Sequence, residues 1–159
     1  MIDDVRRLLL REIRTLIAEI NATPDSQLWV TPRGISNSLG NLGLHLAGNL
    51  RHFVGAGLGD SGFVRDRPRE FEARDLPRET VISELEAAGR EVAAALDALA
   101  PERLEAPYPV AGVELPTRRF LLHLCAHAAL HVGQAGYLRR ILTGENVSVG
   151  VTPIPDLVD

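Results

Sequence analysis

The sequence predicts an all-α protein, a four-helix bundle with a short irregular or hairpin-like segment before the fourth helix. Three observations support this prediction. Four segments of roughly 20 to 26 residues repeat apolar side chains at helical spacing, proline- and glycine-rich segments separate them, and one connection is long, as in bundles with a crossover. We therefore expect one domain over residues 1–144 and an irregular tail over residues 145–159, which could serve as an interface arm.

The first helix is predicted over residues 2–21, where apolar residues recur at helical spacing with arginines between them. Pro24 ends the helix, because proline lacks the amide hydrogen that helical pairing requires and disfavours helical geometry in the residue before it. Residues 26–34 contain one proline, Pro32, and the only tryptophan, Trp29. This segment is therefore predicted to be a loop that an aromatic side chain anchors.

The second helix is predicted to begin at Ser36 or Asn37, either of which can cap it, and to run to about Gly55. It contains three glycines, each of which costs about 1 kcal/mol relative to alanine in a helix. A helix that tolerates them is expected to approach another helix closely. The three positions are Gly40, Gly43 and Gly48.

The connection over residues 60–75 is long and densely charged. Its simpler interpretation is a solvated crossover. Unstructured loops of this length are uncommon in compact domains, and Phe63, Val64 and Phe71 are interleaved with the charges. The second interpretation is therefore a segment that packs against the body of the domain.

The third helix is predicted over residues 76–99, with Asp75 as its cap. Residues 104–116 contain three prolines and a glycine, which defeat a helix, and their alternation suits a short extended hairpin. Thr117 is expected to cap the fourth helix, which runs to about Leu142. Strand content is expected to be negligible.

The composition excludes several classes of function. A net charge of −4 gives no reason to expect nucleic acid or an anionic membrane as a partner. The 17 basic residues are all arginine, so Schiff-base chemistry and lysine nucleophiles are excluded. The single cysteine cannot form an internal disulfide, no signal-peptide pattern is present, and no apolar run approaches the roughly 20 residues that span a bilayer. The protein is therefore expected to be cytoplasmic.

The histidines of the fourth helix carry the strongest functional signal. Among five histidines in the chain, His123, His127 and His131 stand four residues apart, which separates neighbours by about 6 Å along a helix axis. His127, His131 and Gln134 fall on the predicted core stripe. Because buried imidazoles need partners for both nitrogens, we expect a metal ion or a polar network there, and the metal is favoured. Cys125 lies about 200° of helical rotation from His127 and is predicted to point away from this metal.

Axial distance decides which histidines can share one ion. His123 and His131 are about 12 Å apart along the helix, too far for imidazole–zinc bonds of roughly 2.1 Å. The core stripe favours the pair His127 and His131, and His45 on the second helix is the better third ligand. His52, near the end of that helix, is expected to be a surface residue or a neighbour of the ligands.

Three neutral imidazoles leave an ion at least one open position, an arrangement typical of catalytic sites. The helix carries no glutamate between its ligands, so it differs from the His-Glu-x-x-His helix of metallohydrolases. Activation of water would need a carboxylate from elsewhere, for which Glu70, Asp75 and Glu114 are candidates. Activation of an exogenous thiol is the alternative, because a metal ion holds a coordinated thiol as the reactive thiolate.

His45 on the second helix, followed on the fourth by His127-Ala-Ala-Leu-His131-Val-Gly-Gln134, resembles the pattern of the DinB-like superfamily. The resemblance covers nearly the whole chain, including the helix lengths, the long crossover after the second helix and the proline-containing link before the fourth. It implies an up-down-down-up bundle, often a homodimer, with a divalent metal ion held by three histidines. Carried over to this sequence, these are His45, His127 and His131, with Gln134 after the last ligand.

The resemblance also implies a range of reactions. Characterised members of the superfamily include thiol-dependent S-transferases and a mycothiol-dependent maleylpyruvate isomerase. Zinc and nickel both suit three imidazoles, and the sequence does not choose between them. We therefore expect a metal-dependent enzyme that activates a small thiol for S-transfer to, or isomerisation of, a small-molecule substrate.

Three alternatives stay open at this point. The protein could be a metal-dependent hydrolase, a non-catalytic bundle in which the ion stabilises the fold or the dimer, or an interaction module whose polar core residues bond one another without a metal. The arginines of the charged connection, Arg65, Arg67 and Arg69, could bind an acidic substrate or a thiol cofactor. Because such charges are more often solvated, we do not assign them to the site.

Overall fold

The structure, a computed structural model, describes residues 1–150. Its helices are α1 (Ile2–Asn21), α2 (Asp25–Leu28), α3 (Leu39–Leu50), α4 (Gly57–Gly59), α5 (Arg67–Glu72), α6 (Arg78–Asp97) and α7 (Thr117–Thr143). A π-helical segment, Arg51–Ala56, joins α3 to α4, and a 3-10 turn, Pro101–Leu104, follows α6. The strands are β1 (Pro107–Val110) and β2 (Val113–Pro116).

Four long elements, α1, α3 with its continuation, α6 and α7, form the bundle. Both α1 and α3 pack against α6 and α7, and their apolar stripes share one core. On α1 the buried apolar stripe is Val5, Leu9, Ile13, Leu16 and Ile20. The predicted all-α four-helix bundle is confirmed, whereas the up-down-down-up order stays a prediction. In the described residues, no helix combines the length and apolar character needed to cross a bilayer.

The glycines of α3 permit close contacts, as the sequence predicted. Every residue of this helix is buried. A methyl group at Gly43 would lie 2.5 Å from a side-chain carbon of Val81 on α6, and one at Gly40 would lie 2.7 Å from the ring of Trp29. At Gly48 the neighbour is the carboxylate of Glu70, so only Gly43 serves the helix–helix contact that was expected of all three.

The predicted cap of the second helix is wrong by one or two residues. Ser38, and neither Ser36 nor Asn37, caps α3: its hydroxyl accepts a hydrogen bond from the Asn41 amide at 3.2 Å, and Asn41 Oδ1 accepts one from the Ser38 amide at 3.2 Å. This reciprocal pair satisfies two amides at the start of a buried helix. The helix also runs past Gly55, through the π-helical segment to α4, before a left-handed residue ends it.

Two further predicted caps are also wrong. Asp75 adopts a left-handed conformation with φ of 57° and lies before the start of α6, whose cap is Pro77. The turn it forms presents the carbonyl of Leu76, which accepts a hydrogen bond from Trp29 Nε1 at 3.0 Å. Thr117 is the first residue of α7, and its hydroxyl donates to the Ala106 carbonyl instead of accepting from the helix.

The charged connection packs against the body, so the solvated crossover is the wrong interpretation. It contains α5, which Asp66 caps by accepting a hydrogen bond from the Arg69 amide. The Asn41 side-chain amide donates to the carbonyls of Glu70 and Ala73, at 3.0 and 3.1 Å, which fastens α5 onto α3. The buried Glu70 side chain is thereby directed into the bundle.

The segment before α7 is the hairpin that the sequence predicted. Strands β1 and β2 pair antiparallel around Ala111 and Gly112, which both have positive φ angles, as a two-residue hairpin turn requires. The buried Tyr108 donates its hydroxyl hydrogen to the Phe53 carbonyl at 2.8 Å. The hairpin is therefore attached to the π-helical segment that follows the first predicted metal ligand.

Residues 145–150, the described part of the predicted tail, have no regular secondary structure and contact the bundle. The buried guanidinium of Arg139 donates to the Glu145 carboxylate and to the Val147 carbonyl. The Thr15 hydroxyl donates to the Gly150 carbonyl at 2.9 Å. The interface role predicted for residues 145–159 stays a prediction, and residues 151–159 lie outside the described residues.

Candidate metal centre

The structure brings His45, His127 and His131 together. Each offers a ring nitrogen, and the three nitrogens lie within 4.8 Å of one another. His45 Nε2 and His127 Nε2 are 3.3 Å apart. Two nitrogens bound to one ion at about 2.1 Å lie no more than about 4.2 Å apart, so these side chains stand close to the spacing that one ion requires. The helical positions selected by axial spacing therefore meet in space.

A buried carboxylate orients His45. The His45 Nδ1–H group donates a hydrogen bond to Glu70 Oε2 at 2.9 Å. Because the carboxylate only accepts, this bond fixes the tautomer and leaves the lone pair of Nε2 directed at His127. A carboxylate behind a metal-binding imidazole is the usual partner of such ligands and increases their basicity.

Arg65 holds that carboxylate on its other side. Its Nε and Nη2 groups donate to the two oxygens of Glu70, at 2.6 and 2.7 Å. Burial alone would raise the pKa of Glu70, but the hydrogen bonds from Arg65 and His45 outweigh it and hold the pKa below its usual value. The carboxylate therefore stays ionised and keeps its hydrogen bond to the ligand.

Gln134 holds His131 in the same way, one turn further along α7. The His131 Nδ1–H group donates to Gln134 Oε1 at 2.8 Å. The other nitrogen, His131 Nε2, is buried and has no hydrogen-bond partner among the described residues. An unpaired buried polar atom costs about 1–3 kcal/mol, and a divalent cation would satisfy it. The donor set therefore fits a metal ion.

His127 and His131 are kept neutral, which is the form that binds metals. Burial lowers the pKa of His127 to about 4, and the neighbouring His131, His45 and His123 contribute to this shift. Burial also lowers the pKa of His131, against a smaller opposing effect of its bond to Gln134. Both side chains are only partly buried, although His131 Nε2 itself is not accessible to solvent.

The remaining histidines and the cysteine lie outside this group. His123 is exposed and stacks beside His127 with ring centroids 6.0 Å apart. His52 is exposed and packs on Phe53. Cys125 packs against the core, and burial raises the pKa of its thiol to about 11. None of the three belongs to the cluster of possible ligands.

Two details of the sequence-based site were wrong. The histidines do not lie in the middle of the core stripe of α7. Its buried positions are Phe120, Leu124, Ala128, Val132, Ala135 and Leu138. The histidines border this stripe because small alanines occupy its centre, and Gln134 is exposed.

The second error is the omission of Arg65, whose side chain is only 11 % exposed. From the sequence, Glu70 was expected only as a candidate base for water, and the arginines were expected to be solvated. A local signal for this arrangement exists: Asp66 followed by Pro68 is a helix-start pattern. That pattern predicts α5 and makes the connection an ordered part of the domain.

Comparisons with known proteins agree with this architecture. No curated protein shows significant sequence similarity to the chain. The family model of the DinB superfamily matches residues 3–135, a span that contains all three clustered histidines, the charged connection and the hairpin. The chain therefore belongs to the DinB superfamily.

Proposed function

We propose that this protein is a metal-dependent enzyme that activates a low-molecular-weight thiol for S-transfer to, or isomerisation of, a small-molecule substrate. His45, His127 and His131 would hold the ion, with zinc or nickel as the expected metal. One observation carries the proposal: ring nitrogens of three histidines converge, while the outer nitrogens of two of these residues are already bonded to Glu70 and Gln134.

The residues supply the ligand set and its orientation. When bound, the metal ion would keep a coordination position open and lower the pKa of a thiol placed there. Glu70 and Gln134 fix the ring orientations of His45 and His131, so the inward nitrogens need little reorganisation. Arg65 keeps Glu70 ionised and therefore acts as a positioning residue for His45.

The position of the carboxylates favours thiol transfer over hydrolysis. Glu70 is already engaged by His45 and Arg65 and is not free to take a proton from water. Asp75 lines a separate cleft with Trp29, and Glu114 is exposed on β2. No carboxylate joins the histidines in the cluster of possible ligands among residues 1–150. A thiol, unlike water, needs no strong base to ionise near neutral pH.

The proposed S-transfer is balanced as follows. The thiol loses its S–H proton to water, its sulfur forms a bond to the electrophilic carbon, and the leaving group departs with the electron pair of the broken bond. In the isomerisation, the sulfur adds to a carbon–carbon double bond, the resulting single bond rotates, and the sulfur is expelled. Neither reaction needs an oxidant or a reductant.

We also propose a cytoplasmic homodimer. The cytoplasm keeps small thiols reduced, as the reaction requires. Leu122 and Leu130 are exposed on α7, at 53 and 58 %, and would be covered by a second copy. Analytical ultracentrifugation tests the dimer, and a single species at the monomer mass would contradict it.

Metal analysis of protein purified without an affinity tag tests the ligand set. We expect His127→Ala and His131→Ala to lose bound metal. His123→Ala, at an exposed histidine on the same helix, is the matched control and should keep it. Unchanged metal content in His127→Ala would show that the ligand assignment is wrong.

Turnover tests the reaction. The metal-loaded protein is incubated with low-molecular-weight thiols and monochlorobimane, and the fluorescent thioether is measured above the uncatalysed rate. We expect turnover that a chelator and His131→Ala both abolish. Turnover insensitive to both would exclude metal catalysis, and metal binding without turnover, together with a higher melting temperature, would favour the non-catalytic bundle.

A further inference from the structure

We propose that a cleft beside the three histidines binds the electrophile, and that this electrophile is an uncharged, largely apolar molecule. The inference rests on the proposed function, because it names the second substrate of that reaction. It is carried by the position of the cleft, by its lining and by the distribution of charge on the two sides of the histidines.

The cleft begins about one helical turn from His45 on α3 and about one helical turn from His131 on α7. It has a volume of about 400 Å³ and lies between the segment of residues 34–37 and the second half of α7. Gln134 lines it and also accepts the hydrogen bond from His131. On α3 the lining residue Leu42 precedes His45 by three positions, about 5 Å along the helix axis. A ligand in this cleft would therefore lie about one helical turn from His45 and His131, with the Gln134 side chain between it and the outer nitrogen of His131.

The lining of the cleft carries no charged side chain. Its apolar side chains are Ile35, Leu42, Tyr137, Leu138 and Ile141, and its polar ones are Ser36, Asn37 and Gln134. Arg140 contacts the Tyr137 ring but does not line the cleft. Small-molecule sites of about 300–1,000 Å³ are typically apolar with a few polar groups that fix orientation.

A charged group, Arg103, lies on the opposite axial side of the histidines. A second cleft, of about 390 Å³, is lined by His52 and Arg103, and His52 follows His45 along the helix whereas Leu42 precedes it. On α7 the same order holds, since Thr117 lines the charged cleft and precedes both histidines. A charged electrophile in the uncharged cleft would lose hydration without gaining a partner, so an uncharged one is favoured there.

A charge placed in the cleft tests the inference. Ile141 is 62 % exposed, so Ile141→Glu should fold. Val113→Glu is the matched control, because Val113 is 60 % exposed and lies on β2, outside the lining of the cleft. Binding is measured first with dimethylbimane, which has no leaving group and needs neither thiol nor metal. We expect Ile141→Glu to raise its Kd at least tenfold and Val113→Glu to leave it unchanged.

Kinetics with a matched pair of electrophiles adds a test of charge. Monobromobimane is uncharged, whereas its trimethylammonio analogue carries a quaternary ammonium. In both, the thiol sulfur replaces bromide, which leaves with the electron pair. For each protein, kcat/KM for the uncharged reagent is divided by kcat/KM for the cationic one. We expect this ratio to be at least tenfold lower in Ile141→Glu than in the unmodified protein. Dividing this ratio by that of the unmodified protein cancels the intrinsic reactivities.

The outcomes separate this inference from the proposed function. Metal-dependent turnover with equal effects of Ile141→Glu and Val113→Glu would overturn the assignment of the cleft and retain thiol transfer. Binding of dimethylbimane that only Ile141→Glu weakens, in a protein without turnover, would overturn thiol transfer and retain the ligand class. If Ile141→Glu converts a dimer to a monomer without changing dimethylbimane binding, a second copy of the chain occupies the cleft and the inference is wrong.

Discussion

Replacing Glu70 by glutamine is the sharpest test of how the metal centre is built. The substitution keeps the shape of the side chain and removes its charge. At present Glu70 Oε2 accepts hydrogen bonds from His45 Nδ1 and Arg65 Nη2, and Glu70 Oε1 accepts one from Arg65 Nε. The Glu70 side chain is 6 % exposed. A glutamine amide cannot accept at both ends, so it must turn its NH2 group toward one of these donors.

Both orientations of the introduced amide should weaken metal binding. An NH2 group facing Arg65 places two donors in contact. An NH2 group facing His45 favours the tautomer with the hydrogen on Nε2, the nitrogen that should hold the metal. Loss of a partner behind a ligand typically lowers metal affinity 10- to 100-fold, which corresponds to about 1.4–2.7 kcal/mol.

Competition with a chelator of known affinity measures this effect. We expect the Kd for zinc to rise 10- to 100-fold in Glu70→Gln and to stay unchanged in Glu72→Gln, at a less buried position on the same short helix. Urea denaturation of the metal-free proteins shows separately whether the fold is weakened. An unchanged zinc affinity in Glu70→Gln would refute the role of the carboxylate in orienting His45.

Three further predictions concern stability and reactivity. Gly43→Ala places a methyl group 2.5 Å from Val81, so we expect the free energy of unfolding to fall by about 1–3 kcal/mol; Gly133→Ala, in open space, should not lower it. The pKa of His127 is lowered to about 4, chiefly by burial. The unfolded chain takes up that proton near pH 6.5. The urea concentration at the midpoint of unfolding of the metal-free protein should therefore fall as pH drops from about 6.5 to 4, and this fall should be smaller in His127→Gln. The Cys125 thiol, its pKa raised to about 11 by burial, should react with iodoacetamide at pH 8 far more slowly than in the denatured chain.

The bundle could be predicted from sequence because helical periodicity reports burial directly. On α1 the buried apolar residues Val5, Leu9, Ile13, Leu16 and Ile20 recur at helical spacing. Helix starts were less predictable, because Ser36, Asn37 and Ser38 can all act as caps. The choice of Ser38 depends on Asn41, which returns a hydrogen bond to the Ser38 amide and also fastens α5. The position of the cap therefore depends on contacts between residues at least 29 positions apart in the sequence. The residues around Ser38 do not reveal these contacts.

The histidine cluster was predictable for a different reason, since axial distance on a single helix limits which histidines can share an ion. His127 and His131 follow from that limit together with the helical stripe, and His45 follows from its place on a core-facing helix. The residues that orient His45 do not follow from the sequence pattern, because a short helix within the charged connection brings Glu70 and Arg65 to His45. Sequence separation of 25 residues between His45 and Glu70 hides this contact from any local pattern.

One local feature does encode that contact. Gly48 lies three residues after His45 on α3, and a methyl group there would overlap the Glu70 carboxylate. The helix therefore bears the conformational cost of a glycine, about 1 kcal/mol, at the one turn where a carboxylate must reach the imidazole. From the sequence, Gly48 was expected to allow two helices to approach each other. Instead it makes room for the Glu70 carboxylate, which bonds to His45. Because the carboxylate reaches His45 through that space, the glycine at position 48 permits the hydrogen bond between Glu70 and His45.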